Sequence, residues 1–262
     1  MNFWHAVVLG IVQGLTEFLP ISSSGHLVVV QSLLKVAEET VISFDIVIHL
    51  GTLLAVLAYF REDILKLIRG VLAGEKQSLQ LTLYLIIGTI PAVLFGIGAK
   101  SYLEKLFGSP SATAWQLIFN GAILLVADLL TGDRKIDQLK SGDAWWIGIG
   151  QAIAITPGIS RSGATIATGL WRKLSRQAAA RFSFLLSIPV ILGAGLMELP
   201  DLLSGGYQQI GTAGFWAGFI SSAVTGYLVI KFFLNYLQHG TLKFFGYYCF
   251  ILGGIAVIWF AR

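Results

Sequence analysis

The stretch QGLTEFLPISSSGHL starts at Gln13. It places a carboxylate (Glu17), three hydroxyls (Ser22, Ser23, Ser24) and an imidazole (His26) within the ten positions 17–26. Such groups can make a nucleophile and its proton carrier. A second stretch, PGISRSGAT at 157–165, carries Ser160, Ser162, Thr165 and Arg161. The guanidinium of Arg161 is a planar fork matched to phosphate oxygens. Each feature has an ordinary structural explanation. Serines before a helix cap its N–H groups, a membrane histidine commonly bonds a neighbouring helix, and Arg161 could simply pair with Glu17. In combination they supply a nucleophile, a proton carrier and an oxyanion clamp.

The elements that hold these groups are apolar. FWHAVVLGIV precedes the first stretch and LVVVQSLL follows it. The 262 residues are 55% hydrophobic and 12% charged, against roughly 25% charged in soluble domains, and the mean hydropathy is +0.77. This is the composition of an all-α polytopic membrane protein, without the alternating ~10-residue segments of a β-barrel. No Lys or Arg precedes Lys35, so the first apolar run lacks the basic region of a secretory signal. The single cysteine, Cys249, excludes an intramolecular disulfide and a cysteine metal cluster.

Six apolar segments are long enough to span a bilayer: 41–60, 79–100, 112–131, 178–199, 212–234 and 243–261. The pieces 26–34, 144–155 and 164–171 are too short. Interrupted by Gly, Pro and Ser, they predict two helix–loop–helix hairpins that enter the membrane and turn back, which survives only where the loop is buried in protein or lines a wet cavity. A shift of 138 positions lays Gln13 on Gln151, Ile21–His26 on Ile159–Ala164, and Phe44 on Phe182. We read one membrane domain, 1–262, built of two repeats, about 1–138 and 139–262. Each is a hairpin followed by three spans, so the second enters from the opposite face and the topology is inverted. Thirteen of the eighteen Lys and Arg then fall on one side, four (Lys35, Lys100, Lys105, Arg262) on the other, and Arg161 in the second loop. The positive-inside rule makes the richer side cytoplasmic and both termini extracytoplasmic. The net charge of +4 thus has a topological origin and points to no nucleic acid. Asp45 and His49, four apart on one helix, could pair with each other, Asp128 at a span end could be solvated, and Asn120 reads as an interhelical hydrogen bonder.

QGLTEFLPISSSGH and PGISRSGAT resemble the two signature motifs of the undecaprenyl-diphosphatase family, of the bacitracin-resistance type. The resemblance covers essentially the whole chain, including FDIVIHLGTLLAV at 44–56. It implies re-entrant inverted repeats and removal of one phosphate from undecaprenyl diphosphate. That reaction recycles the lipid carrier of peptidoglycan synthesis at the outer face of the bacterial plasma membrane. Glu17, Ser23, His26 and Arg161 match the family's functional residues. With the loop N–H groups, Gln13, Ser22, Ser24, Ser160, Ser162 and Thr165 are expected around the phosphates. Either Ser23 attacks, with His26 or Glu17 taking its proton, or His26 attacks directly, or water does. Gln13 stands where family members carry Gln or Glu. With Gln, one carboxylate remains, so no cofactor is certain, and a divalent cation such as Mg²⁺ or Ca²⁺ would have to rest on Glu17. The partners implied are a polyprenyl diphosphate and the lipid bilayer; the sequence does not give an oligomeric state. The rival expectation is a lipid or ion transporter, or flippase, on the same inverted repeat.

Overall fold

The computed structural model describes residues 1–99, 106, 109–130, 132–203 and 207–260. Lys100, Lys105 and Arg262, three of the four basic residues expected on the sparser side, lie outside the described residues. The described residues form α1 (Phe3–Thr16), α2 (Ser23–Leu33), α3 (Glu38–Tyr59), α4 (Arg61–Leu72), α5 (Lys76–Gly98) and α6 (Pro110–Asp128). After a 3₁₀ turn at Ile136–Gln138 come α7 (Ser141–Ile153), α8 (Arg161–Trp171), α9 (Arg176–Asp201), the short α10 (Tyr207–Ile210), α11 (Thr212–Tyr236) and α12 (Lys243–Phe260). Among the described residues six helices are long and apolar enough to cross a membrane: Thr40–Tyr59, Lys76–Gly98, Pro110–Asp128, Arg176–Pro200, Thr212–Tyr236 and Lys243–Phe260. They coincide with the six segments expected from hydropathy, and the chain is a multi-pass α-helical membrane protein.

Helices α2 and α8 start earlier than the apolar pieces at 26–34 and 164–171. A cap sets the start, and hydropathy marks only the apolar portion that follows. Ser22 accepts the Gly25 N–H at 3.3 Å and Ser160 accepts the Gly163 N–H at 3.1 Å, each satisfying one of the donors that a helix N-terminus leaves free. The 138-residue shift carries Ser23–Leu33 onto Arg161–Trp171, and the start of α3 onto the start of α9. The packing has the same pairing. α1 lies along α11 as α7 lies along α5, while α3 meets α9 and α6 meets α12.

Small residues make the two equivalent seams. A Cβ on Gly14 of α1 would stand 2.7 Å from the Ser222 carbonyl and 2.8 Å from the Gly226 nitrogen of α11. A Cβ on Gly148 of α7 would stand 2.6 Å from the Gly88 carbonyl of α5. These backbones touch, so packing rather than hydrophobicity joins the short helices to the long ones. Between the seams Phe18, Phe60, Phe182, Phe184 and Phe233 are fully buried in the main core.

One end of the bundle is tied by ion pairs. The buried Asp143 carboxylate accepts Arg134 Nη2 at 2.7 Å, Arg172 Nε at 2.8 Å and the Lys140 N–H at 3.0 Å. Burial pushes this carboxyl up, but the hydrogen bonds from Arg134 and Arg172 outweigh it and hold it below its ordinary value. Asp63 takes Arg181 at 2.5 Å. Asp128 is not the solvated residue expected at a span end. It is buried and accepts Arg176 Nη2 at 3.0 Å and the Leu242 N–H at 2.7 Å. The chain turns there from α11 into α12, and that carboxylate ties the turn to α6 and α9.

Candidate active site at the meeting of two loops

The loops at 17–22 and 154–160 meet inside the bundle. The Ser162 hydroxyl donates to the Leu19 carbonyl at 2.9 Å, and the Gly158 N–H donates to Ser24 Oγ at 3.3 Å. Asn120 of α6 fastens both: its Nδ2 donates to the Pro20 carbonyl at 2.9 Å and its Oδ1 accepts the Ser160 N–H at 3.1 Å. Sequence reasoning identified Asn120 as a bonder between helices. Its grip on two loop backbones depends on their meeting, which no local pattern announces. Gly158 has φ +94° and a Cβ there would stand 2.4 Å from the Thr113 carbonyl, so glycine is needed on both counts. Ser22 takes φ 68° without being glycine, a strained backbone held by its cap and by its carbonyl, which His26 Nδ1 meets at 2.7 Å.

Glu17 sits at the C-terminal cap of α1, at the centre of this junction. Its Oε1 accepts Arg161 Nη2 at 2.7 Å, and the other outer nitrogen of Arg161 donates to the Ser183 carbonyl at 3.1 Å. Its Oε2 accepts the Ser23 hydroxyl at 2.7 Å and Gln13 Nε2 at 3.1 Å. Glu17 is therefore the counter-ion of Arg161 and the acceptor aimed at Ser23. The first-turn N–H groups of α2 and α8, those of Ser23, Ser24, Arg161 and Ser162, are donors that no helix carbonyl can take. With Arg161 they make an anion-binding pair of helix starts.

The remaining expected residues divide by accessibility. Ser23, Ser24 and Arg161 are half-buried, while Gln13, Ser22, Ser160, Ser162 and Thr165 are buried. Ser160 Oγ and Ser162 Oγ lie 3.0 Å apart, and Thr165 Oγ1 lies 2.6 Å from Ser183 Oγ. These hydroxyls lie in the floor under Arg161. His26 is placed apart from Glu17. Its ring is buried, its Nε2 is 2.8 Å from the Tyr248 hydroxyl, and the two rings stack at 5.6 Å.

His49 enters the site instead, which the sequence reading did not expect. Its side chain does not pair with that of Asp45. Nδ1 bonds the Asp45 backbone carbonyl at 2.7 Å, the Asp45 carboxylate accepts Gln31 at 2.7 Å, and His49 Nε2 points to Glu17 Oε2 at 3.9 Å. His49 Nδ1 is taken by the backbone of the preceding turn and the Asp45 carboxylate by Gln31, so the expected bond between the two side chains does not form. Among the described residues no group of three or more His, Cys, Asp or Glu is placed to hold a metal. Around Glu17 the charged and imidazole groups are one carboxylate, already bound by Arg161, and one imidazole, beside the neutral oxygens of Gln13 and Ser23. They do not form a preformed divalent-cation cage.

The chain matches the bacitracin resistance protein BacA family over residues 6–255. It belongs to that family. Similar proteins include an undecaprenyl-diphosphatase of Carboxydothermus hydrogenoformans, 44% identical, with the match covering 97% of this chain and 95% of that one. An undecaprenyl-diphosphatase of Halothermothrix orenii is 40% identical over 98% of both chains. Undecaprenyl-diphosphatase 4 of Bacillus thuringiensis is 41% identical over 98% of this chain and 97% of its own.

Proposed function

We propose that this protein hydrolyses undecaprenyl diphosphate to undecaprenyl phosphate and inorganic phosphate, with Glu17, Ser23 and Arg161 at the reacting centre. The observation that carries the proposal is the arrangement at Glu17, where one oxygen faces Arg161 and the other accepts the Ser23 hydroxyl, between two helix N-termini. The names of the similar proteins favour a phosphatase over the transporter. Arg161 and the first-turn N–H groups hold the terminal phosphate. Ser23 Oγ bonds to its phosphorus and gives its proton to Glu17, while the bond to the bridging oxygen breaks and the prenyl phosphate leaves with the electron pair. Water then attacks the phosphoserine, releasing inorganic phosphate and restoring the Ser23 hydroxyl. Phosphoryl transfer of this kind is mostly positioning and charge stabilisation. His26 acts by holding the strained Ser22 cap, and Gln13 orients Glu17. Ser22, Ser24, Ser160, Ser162 and Thr165 shape the phosphate cradle.

In this proposal the repeats 1–138 and 139–262 are inverted in the bacterial plasma membrane, with both hairpins re-entrant. The ion-paired end, with Arg134, Arg172, Arg176 and Arg181, is cytoplasmic. Both termini are extracytoplasmic, and the site opens outward, where the polyprenyl tail lies along the helices in lipid. The product re-enters the carrier cycle of peptidoglycan synthesis, and faster recycling confers resistance to bacitracin. Phosphate release by the purified protein from a C55 or C15 prenyl diphosphate tests the activity. Binding without release would replace the phosphatase with the transporter.

A further inference from the structure

The reaction proposed above leaves a proton that the site must discard. With the phosphates ionised, a diphosphate ester and water give a phosphate ester, hydrogen phosphate and one proton. In the first step Glu17 takes the Ser23 proton. In the second, the attacking water gives one proton back to Ser23 and carries the other into the phosphate. Glu17 still holds the first. It must lose that proton before it can again face Arg161 as an ion pair and accept from Ser23.

Two imidazoles, those of His26 and His49, stand on helices that border the junction, and their surroundings separate them. Both rings aim Nδ1 at the backbone carbonyl four residues back, His26 at Ser22 and His49 at Asp45, each at 2.7 Å. A carbonyl only accepts, so Nδ1 carries the hydrogen in both, and Nε2 of the neutral ring is the lone pair. His26 Nε2 is filled by the Tyr248 hydroxyl at 2.8 Å, and the residue is 8% exposed. His49 Nε2 faces Glu17 Oε2 at 3.9 Å from a side chain that is 36% exposed. That gap is too short to hold a water between the atoms. It closes to a hydrogen bond by a side-chain movement of about 1 Å, as catalytic contacts do on forming the reactive complex.

Resting on the phosphatase reading, we propose that His49 is the proton-relay residue: it takes the proton from Glu17 Oε2 on Nε2 and passes it to water at the mouth of the site. The groups around it fit that role. Glu17 faces it from α1, with Arg161 of α8 behind. On its own helix Asp45 lies one turn away, bonded by Gln31 of α2 and within electrostatic reach of Glu198 of α9. α11, packed along α3, has Lys231 as its one charged residue, near its far end. When the proton passes to His49 Nε2, Glu17 is left as a carboxylate beside the new imidazolium, and the two charges attract.

The test uses the purified full chain in detergent with C15 prenyl diphosphate. His49→Gln and His49→Ala are both made, and thermal unfolding is followed to show that each is folded. In His49→Gln the first turnover should run near the wild-type rate and later turnovers about 10²-fold slower, giving a burst of about one phosphate per site. Because only the reset slows, KM should fall together with kcat, leaving kcat/KM within about twofold of wild type. Free imidazole should restore His49→Ala at least tenfold, in proportion to its unprotonated fraction as pH rises. Steady-state turnover equal to wild type in His49→Gln overturns the inference. So does a loss that includes the first turnover and that imidazole does not relieve in His49→Ala. A wild-type protein that releases no phosphate would sink the phosphatase reading itself, whereas an active wild type with normal His49 variants would sink only the relay.

Discussion

Removing the Arg161–Glu17 pair one side at a time separates a phosphate clamp from a structural ion pair. The two side chains are 14% and 7% exposed, with N···O at 2.7 Å. Arg161→Ala strands the Glu17 carboxylate in a buried place, a loss of about 3–5 kcal/mol for one partner of a buried pair, and the Ser183 carbonyl loses a donor worth about 1 kcal/mol. Adding Glu17→Gln removes the stranded charge, so the double variant should recover most of the stability. Arg161→Lys keeps the charge and should fold. Its ammonium cannot reach Glu17 and the Ser183 carbonyl while also presenting a fork to phosphate. Loss of one charge-assisted hydrogen bond in the transition state, about 1.5–3 kcal/mol, lowers kcat/KM about 10- to 150-fold. Thermal unfolding in detergent reads the first set and phosphate release the second. Glu17→Gln by itself removes the base, so the double variant should be stable and inactive, and Arg161→Lys is the variant that isolates the clamp. Turnover restored in Glu17→Gln/Arg161→Ala would refute it, because the pair would then have been holding the loops together and nothing more.

Rapid quench with terminally labelled substrate should trap an acid-stable phosphoserine at Ser23. An acid-labile phosphohistidine would transfer the nucleophile's role to His26, and no adduct, with Ser23→Ala still turning over, would transfer it to water. Orientation is read by cysteine labelling in intact cells on a Cys249→Ser background. Arg69→Cys, at the end of the basic helix α4, should resist an impermeant reagent added outside, and its labelling from outside would reverse the proposed sidedness.

Much of the fold was legible because length and apolarity alone decide which helices cross a bilayer. The six spans followed from that, and the short helices α2, α7 and α8 from three apolar pieces too short to span. The short helices also revealed their starts to anyone reading caps: Ser22 and Ser160 stand 138 positions apart, each three residues before a glycine N–H that its hydroxyl accepts. Asp128 was misjudged because a position at a span end says nothing about what folds over it. The Leu242 N–H that it accepts is 114 residues away.

The site divides the same way. Glu17 was legible as one candidate counter-anion of Arg161, since a lone membrane arginine needs one, with a bound phosphate as the other. The histidines could not be sorted so. Ser23 and His26, three apart on a helix, share a face by periodicity, and on that ground His26 belonged with the hydroxyl. Yet His26 and His49 make the same local bond, Nδ1 to the carbonyl four residues back. That bond decides which nitrogen is free and leaves open what the free nitrogen meets. Tyr248 on α12 closes one ring, and Glu17 on α1 faces the other across 3.9 Å. One neighbour lies 222 positions along the chain from its histidine, and the other stands at the C-terminal cap of α1, two helices before α3. Periodicity places a side chain on a face of its own helix, and the partner helix then determines whether that face is a wall or a site.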